Sequence, residues 1–333
     1  MSVACIMMQK DEQRLLPAWL TYHEHLFGTS NLFVYDNGST IPAVIEELRR
    51  FEARGGSVEW SHSRPEDYRN KEVLLGSHIQ ALQRNYAIVL PLDCDEFIAK
   101  RTDRGVTCSR TAVLDYLKSL TDSQSVLRVP HQFVNHPLVP DFYSLFSFKK
   151  VFFGAAPYQL TDHGFHMIRD QPYAAYCDTQ LVHIHMHNRP FPELLEAAKR
   201  KWRAPIATDD IEALQNYQGP SMHLVPYFLM TEQEYYASFR DKVQFYFPAF
   251  RRLLETLDPS VQLMPEDAGE FPWGLSDEDQ TTMFVPAQFD AAAYLQAHAD
   301  VCRAGLDPWI HYCQFGFKEM RGLKRRKRLQ PTS

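Results

Sequence analysis

The sequence has no stretch approaching the roughly 18 apolar residues that cross a bilayer, so it does not read as an integral membrane protein. It has no CxxC pair either. Its six cysteines, at 5, 94, 108, 177, 302 and 313, are scattered and mostly sit in apolar runs. That spacing argues against a disulfide framework or a thiolate zinc site and for small reduced thiols. The opening MSVACIMMQKDEQ lacks the basic region and apolar run of a secretion signal, so the expected location is cytoplasmic. Basic residues are scarce outside the run at 324–328. Without those five, 30 Lys and Arg stand against 41 Asp and Glu, a balance that disfavours nucleic acid as a partner. A Gly-rich phosphate loop is missing as well: the first apolar run is followed by QKDEQ. Aromatics are not scarce, and 22 Phe, 16 Tyr and 5 Trp argue for a folded, groove-bearing body.

The first hundred residues alternate strand and helix signals. Short apolar runs at 3–8, 31–35 and 87–92 predict strands, as does the short segment at 57–60, and helical periodicity predicts helices over 13–26, 41–54 and 72–85. Repeated units of this length predict an α/β fold with a mostly parallel sheet flanked by helices. Further on, helices are expected at 111–120, 191–202 and 233–257, with strands at 126–130, 145–153 and 181–187. No Lys or Arg occurs between 253 and 302. The chain therefore divides into a domain at 1–257, an acidic, Pro-rich linker at 258–284, a small helical unit at 285–323 and a basic tail at 324–333. In the small unit, one helix running to Gly305 and a second starting at Asp307-Pro308 are expected.

Chemistry concentrates where the run AIVLPLDCDEF stops on Asp93, Asp95 and Glu96. Clustered carboxylates repel one another and are tolerated mainly around a cation. On an extended chain Asp93 and Asp95 would point the same way, toward Mn2+ or Mg2+, with Glu96 supporting them. The bland reading is a solvated strand end. In LVHIHMHNRP, His183, His185 and His187 alternate on one face of a strand, with at least one expected to serve packing. A zinc site there is one reading, and His185 joining the acid pair is the other. Arg189 follows and suits a phosphate. YDNGST at 35–40 is good turn chemistry, yet its Asp36 and Asn37 end a strand where a ribose or base could bind. Lys10 and Glu12 follow the first strand onto the same edge.

Together these blocks resemble the family-2-like glycosyltransferases with the GT-A fold. Lys10, Glu12, Leu15, Trp19, Tyr22, His23 and Gly28 match the first block, and Tyr35, Asp36, Asn37 and Ser39 the second. Asp93, Asp95, Glu96 and Phe97 match the metal motif, Lys150 and His163 two later positions, and His185 with Arg189 the last. Asp11, Pro17, Met186 and Pro190 depart from the pattern. The resemblance implies an inverting transfer from a nucleotide-sugar, UDP-linked, to a glycan or lipid-linked acceptor. It implies donor binding by Lys10, Glu12, Asp36, Asn37, Lys71, Asp93 and Arg189, metal binding by Asp93, Asp95 and His185, and catalytic roles for Asp95 and Glu96. For the general base, Asp162, Asp178 and Glu193 are the candidates, Asp162 first. The segment after 288 is similar to a short helical module found in bacterial polysaccharide-related proteins. The tail at 324–328 is first a solvated charge run and second a weak peripheral membrane contact. A sugar nucleotidyltransferase and a non-catalytic glycan- or partner-binding protein are the competing readings.

Overall fold

The computed structural model describes residues 2–102, 105–171, 175–202, 206–219, 222–239, 243–264, 283–284, 289–316, 319 and 321. The chain divides into two units. Met1–Val134, Leu145–Met186 and Phe247–Pro265 form the first, and Asn135–Ser144, His187–Tyr246 and Glu266–Ser333 the second. Most of the acidic linker and the whole basic run at 324–328 lie outside the described residues.

The first unit is α/β, with the alternation the sequence predicts. It runs β1 (Val3–Gln9), α1 (Leu15–Phe27), β2 (Leu32–Asp36), α2 (Pro42–Ala53), β3 (Ser57–Glu59), α3 (Pro65–Arg69), α4 (Lys71–Leu82) and β4 (Ile88–Pro91). These strands form a parallel sheet in the order β3-β2-β1-β4. Strand β1 is buried at every residue, as its unbroken apolar run requires of a strand covered on both faces. Leu75, Ile79 and Leu82 of α4 pack on Ala4, Ile6 and Val89 of β1 and β4. That i, i+4 stripe carries one polar member, Lys71, onto the buried side. Because β1, β2 and β4 are parallel, their carboxyl ends share one edge of the sheet.

The chain continues through β5 (Glu96–Thr102), β6 (Gly105–Thr107), α5 (Arg110–Ser119), β7 (Val126–Val129), β8 (His131–Asn135), β9 (Phe142–Phe146), β10 (Lys150–Phe152), β11 (Tyr176–Asp178) and β12 (Leu181–His185). Strand β12 lies antiparallel to β5 and parallel to β8, with His185 opposite Glu96 and His183 opposite Ile98. Strand β7 is flanked by β10 and β11. A bridge between Phe153 and Val89 aligns β10 with β4. Counting back along one chain and forward along the other brings Lys150 to the level of Leu92, beside the acid turn. The single strand expected over 145–153 is therefore two, because β10 leaves the line of β9 to pair with β7. Tyr22 of α1 donates to Ile98 O at 2.6 Å and meets Phe97 and Phe250 edge-on.

The second unit contains α6 (Phe191–Lys201), α7 (Ile211–Gln215), α8 (Val225–Leu229), α9 (Glu232–Ala237) and β13 (Gln244–Tyr246), after which α10 (Ala249–Leu257) belongs to the first unit. The helix expected over 233–257 is thus broken. Pro248 lacks an N–H and cannot continue a helix from the preceding residues, and Gln244–Tyr246 pairs instead with Phe142 and Tyr143. Phe191, Leu194, Tyr235, Tyr236 and Phe239 form one core, and Val243, Phe289, Tyr294, Val301 and Tyr312 another. The helix expected up to Gly305 is two, α11 (Ala291–Ala297) and α12 (Ala299–Arg303), because His298 leaves helical geometry at φ −131°. Asp307 caps α13 (Pro308–His311) by accepting from Ile310 N at 3.0 Å, as the Asp-Pro pair predicts. Among the described residues no helix is long and apolar enough to cross a membrane.

Candidate functional site

Between β4 and β5 the chain does not stay extended. Glu96 N–H donates to Asp93 O at 3.0 Å, and Asp93 N–H donates back to a Glu96 carboxylate oxygen at 2.9 Å. This closed turn overturns the expectation that Asp93 and Asp95 share one direction, since alternation holds only on an extended strand. Asp93 instead receives two ammonium groups. Lys71 donates to Oδ1 at 2.9 Å and Lys150 to Oδ2 at 2.6 Å, and Lys150 also donates to Glu96 Oε2. Lys71, Lys150 and Glu96 are all buried. Two positive and two negative groups thus balance, with only Asp93 partly exposed, which is how buried charge is tolerated. Burial alone would raise the Asp93 carboxyl and lower both ammonium groups. Their mutual attraction outweighs it, holding Asp93 well below the usual carboxylate range and both lysines above theirs.

Asp95 faces the other way, toward β12. His185 Nε2 lies 3.2 Å from Asp95 Oδ2, and Met186 N–H donates to Asp95 O at 2.8 Å. The other ring nitrogen, His185 Nδ1, is 2.6 Å from Gln132 Oε1, an oxygen that can only accept. Nδ1 therefore carries a hydrogen, and Nε2 is aimed at Asp95. Burial would lower the His185 pKa, but Asp95 beside it leaves it raised. An oxygen and a nitrogen ligand side by side, with an amide oxygen fixing the ring from behind, suit a divalent transition metal such as Mn2+. Asp93 fits such an ion poorly. A +2 ion about 4 Å from one ammonium is repelled by roughly 8 kcal/mol at an effective dielectric constant near 20. His183, two residues earlier, is buried with both ring nitrogens unpartnered among the described residues, and burial holds its pKa well down. It is the packing imidazole of the three. His187 is the first residue of the second unit's His187–Tyr246 segment.

At the neighbouring strand ends, YDNGS builds a rigid edge. Asp36 Oδ1 accepts from Gln9 Nε2 at 2.6 Å and from Ser39 Oγ at 2.5 Å, and its Oδ2 accepts from Ser39 N at 2.9 Å. Asn37 Nδ2 donates to His62 O at 2.8 Å and Arg64 O at 2.9 Å. Gly38 takes φ +75°, where a Cβ would come within 2.6 Å of Ser63 O. Asp36 and Asn37 are buried and internally bonded, so they shape this edge. Lys10 is exposed on it and Glu12 half-buried. Asp11, at φ 55°, accepts from Thr40 N at 2.7 Å and Ile41 N at 2.9 Å, satisfying N–H groups just ahead of α2.

The base candidates fare differently. Asp162 accepts from His166 N at 2.5 Å, His166 Nδ1 at 2.7 Å and Met167 N at 3.0 Å. Against the opposing effect of burial, these bonds push its carboxyl down to about 2. Asp178 is gripped by two nitrogens of Arg128. In the second unit, Arg189, Pro192, Glu193 and Glu196 line a cleft of about 300 Å3. Its Arg189 backbone is fixed by Tyr235, whose hydroxyl donates to Arg189 O at 3.0 Å. Asn135 and Asn188 hold the preceding residue with three mutual bonds of 2.6–2.9 Å.

Sequence reasoning missed Glu72 and Arg169. Glu72 accepts from Arg169 Nη2 at 2.6 Å and lies 3.1 Å from His163 Nδ1. The available signal was Glu72 following Lys71 at the start of α4, two charges on a helix whose next turns are apolar. No protein-family model and no curated protein matches the chain.

Proposed function

We propose that the protein transfers a sugar, with inversion, from a UDP-linked donor to a hydroxyl of a glycan or lipid-linked acceptor, assisted by Mn2+, with Mg2+ as the second choice. The observation that carries this reading is the Asp95–His185 pair. It stands beside the sheet edge where β1, β2 and β4 end, the usual ligand edge of an open α/β sheet, with Gln132 fixing the imidazole. A bound divalent ion there would neutralise charge developing on the leaving diphosphate. The chain's own part is positional. Asp95 and His185 would hold the ion, while Lys71 and Lys150 keep the acid turn rigid through Asp93 and Glu96. The Asp36–Asn37 turn would form the wall for the nucleoside, with Lys10 and Glu12 at its rim.

The competing readings have less support. A nucleotidyltransferase would need a loop of free N–H groups after β1, whereas those of Asp11, Glu12 and Gln13 are already taken by Ser39 Oγ, Gln9 Oε1 and Asp11 O. A purely binding protein has no need of a carboxylate and an oriented imidazole side by side. A cytoplasmic location, and weak membrane contact through the basic tail, belong to the same proposal.

Release of UDP from UDP-sugars in the presence of Mn2+ tests it. Asp95→Ala should abolish both donor hydrolysis and transfer while its thermal unfolding stays cooperative. Near-normal release by that variant would sink the proposal.

A further inference from the structure

We infer that His163, held by Glu72, is the base that takes the proton from the acceptor hydroxyl, an assignment that rests on the sugar-transfer reading above. Of the three carboxylate candidates, Asp162 is engaged by His166 and Met167, Asp178 is engaged by Arg128, and Glu193 belongs to the second unit. The arrangement around His163 is different. Its Nδ1 lies 3.1 Å from Glu72 Oε2, while its side chain is 43% exposed, so the ring is anchored at one end and open at the other.

Glu72 is itself buried, at the second position of α4, with its other oxygen taken by Arg169 at 2.6 Å. Burial would raise its carboxyl, but its own amide, Arg169 and His163 outweigh that and keep it charged. An ionised carboxylate only accepts, so Nδ1 carries the hydrogen and the Nε2 lone pair is left outward. Among the described residues nothing hydrogen-bonds that nitrogen. The other groups around the dyad are Tyr68, edge-on to the ring at 5.1 Å, and Tyr158, whose hydroxyl donates to Glu72 O at 3.0 Å. Asp162 and His166, on the same loop, bond each other.

Location supports the role. The Tyr68 ring centroid lies 5.1 Å from the His163 ring and 5.9 Å from Lys71 Nζ, and Lys71 binds Asp93. One aromatic ring thus touches both His163 and Lys71 of the acid turn's charge cluster. In the reaction the acceptor O–H proton passes to His163 Nε2, and the freed oxygen pair forms the bond to the anomeric carbon. The bond from that carbon to the diphosphate oxygen breaks, and its electron pair leaves on the diphosphate. The imidazolium, stabilised by Glu72, then gives its proton to water. His163 is the catalytic residue and Glu72 a positioning residue, the division of labour of other imidazole–carboxylate pairs.

The test uses the full chain with Mn2+ and reads UDP release from UDP-glucose, UDP-galactose and UDP-N-acetylglucosamine, water serving as acceptor. His163→Ala should lower kcat by about 100-fold or more, leave the donor KM within about threefold, and recover activity when free imidazole is added. Glu72→Ala should lower kcat with the donor KM similarly unmoved. Turnover of His163→Ala within about threefold of wild type, or a loss that imidazole does not restore, overturns the assignment and leaves the sugar-transfer reading standing. Absence of any Mn2+-dependent UDP binding by the wild type overturns both.

Discussion

Lys150 has two carboxylates within hydrogen-bonding reach, and its own side chain is 2% exposed. Its value lies less in what the pairs add than in what their loss leaves behind. Removing one partner of a buried pair strands an uncompensated charge, at a cost of about 3–5 kcal/mol. Lys150→Met should therefore leave Asp93 and Glu96 facing each other and lower the unfolding free energy by roughly that amount, read from urea denaturation at neutral pH. A loss under about 1 kcal/mol would mean that the two carboxylates find other partners. Lys71, with a single bond to Asp93, should matter less. The same residues explain the limits of reading the sequence. DCDE was legible as a charged site, but the lysines that balance it come from 22 residues earlier and 57 later than Asp93. Only the folded register brings them there. The turn that separates Asp93 from Asp95 was likewise hidden, because it depends on Glu96 folding back onto Asp93 N–H.

The β2 end owes its shape to a few short bonds and one glycine. At φ +75°, and with Ser63 O where a Cβ would sit, any replacement of Gly38 is strained. Gly38→Ala should cost about 1–3 kcal/mol and weaken nucleotide binding at the same edge, measured by thermal unfolding with and without UDP. Unchanged stability would show that the His62–Arg64 segment yields easily. Here the sequence was a good guide, since Asp-Asn-Gly-Ser after an apolar strand signals a turn by itself. The βαβ alternation was equally legible, each strand being short and bounded by turn residues. The aromatic stretch 233–257 was not. Its helical periodicity is genuine at both ends, but the pairing of β13 with Phe142 and Tyr143 lies about a hundred residues away in sequence, and local pattern carries no sign of it.

At the scale of the whole molecule, 333 residues carry a net charge of −6 and support two units, each with its own buried cores. The described residues include no membrane-crossing helix. The chemistry of the proposed transfer falls in the first unit: the Asp95–His185 pair, the lysine-balanced turn, the Asp36 edge and the Glu72–His163 dyad. The central claim is that Asp95 and His185 hold a divalent ion for a nucleotide diphosphate. Calorimetric titration of UDP into the protein tests this most directly, with Mn2+ present and again after chelation, for wild type and His185→Ala. The account predicts saturable UDP binding by wild type that disappears on chelation and in the variant. Equal UDP affinity with and without metal, or none under either condition, would contradict it.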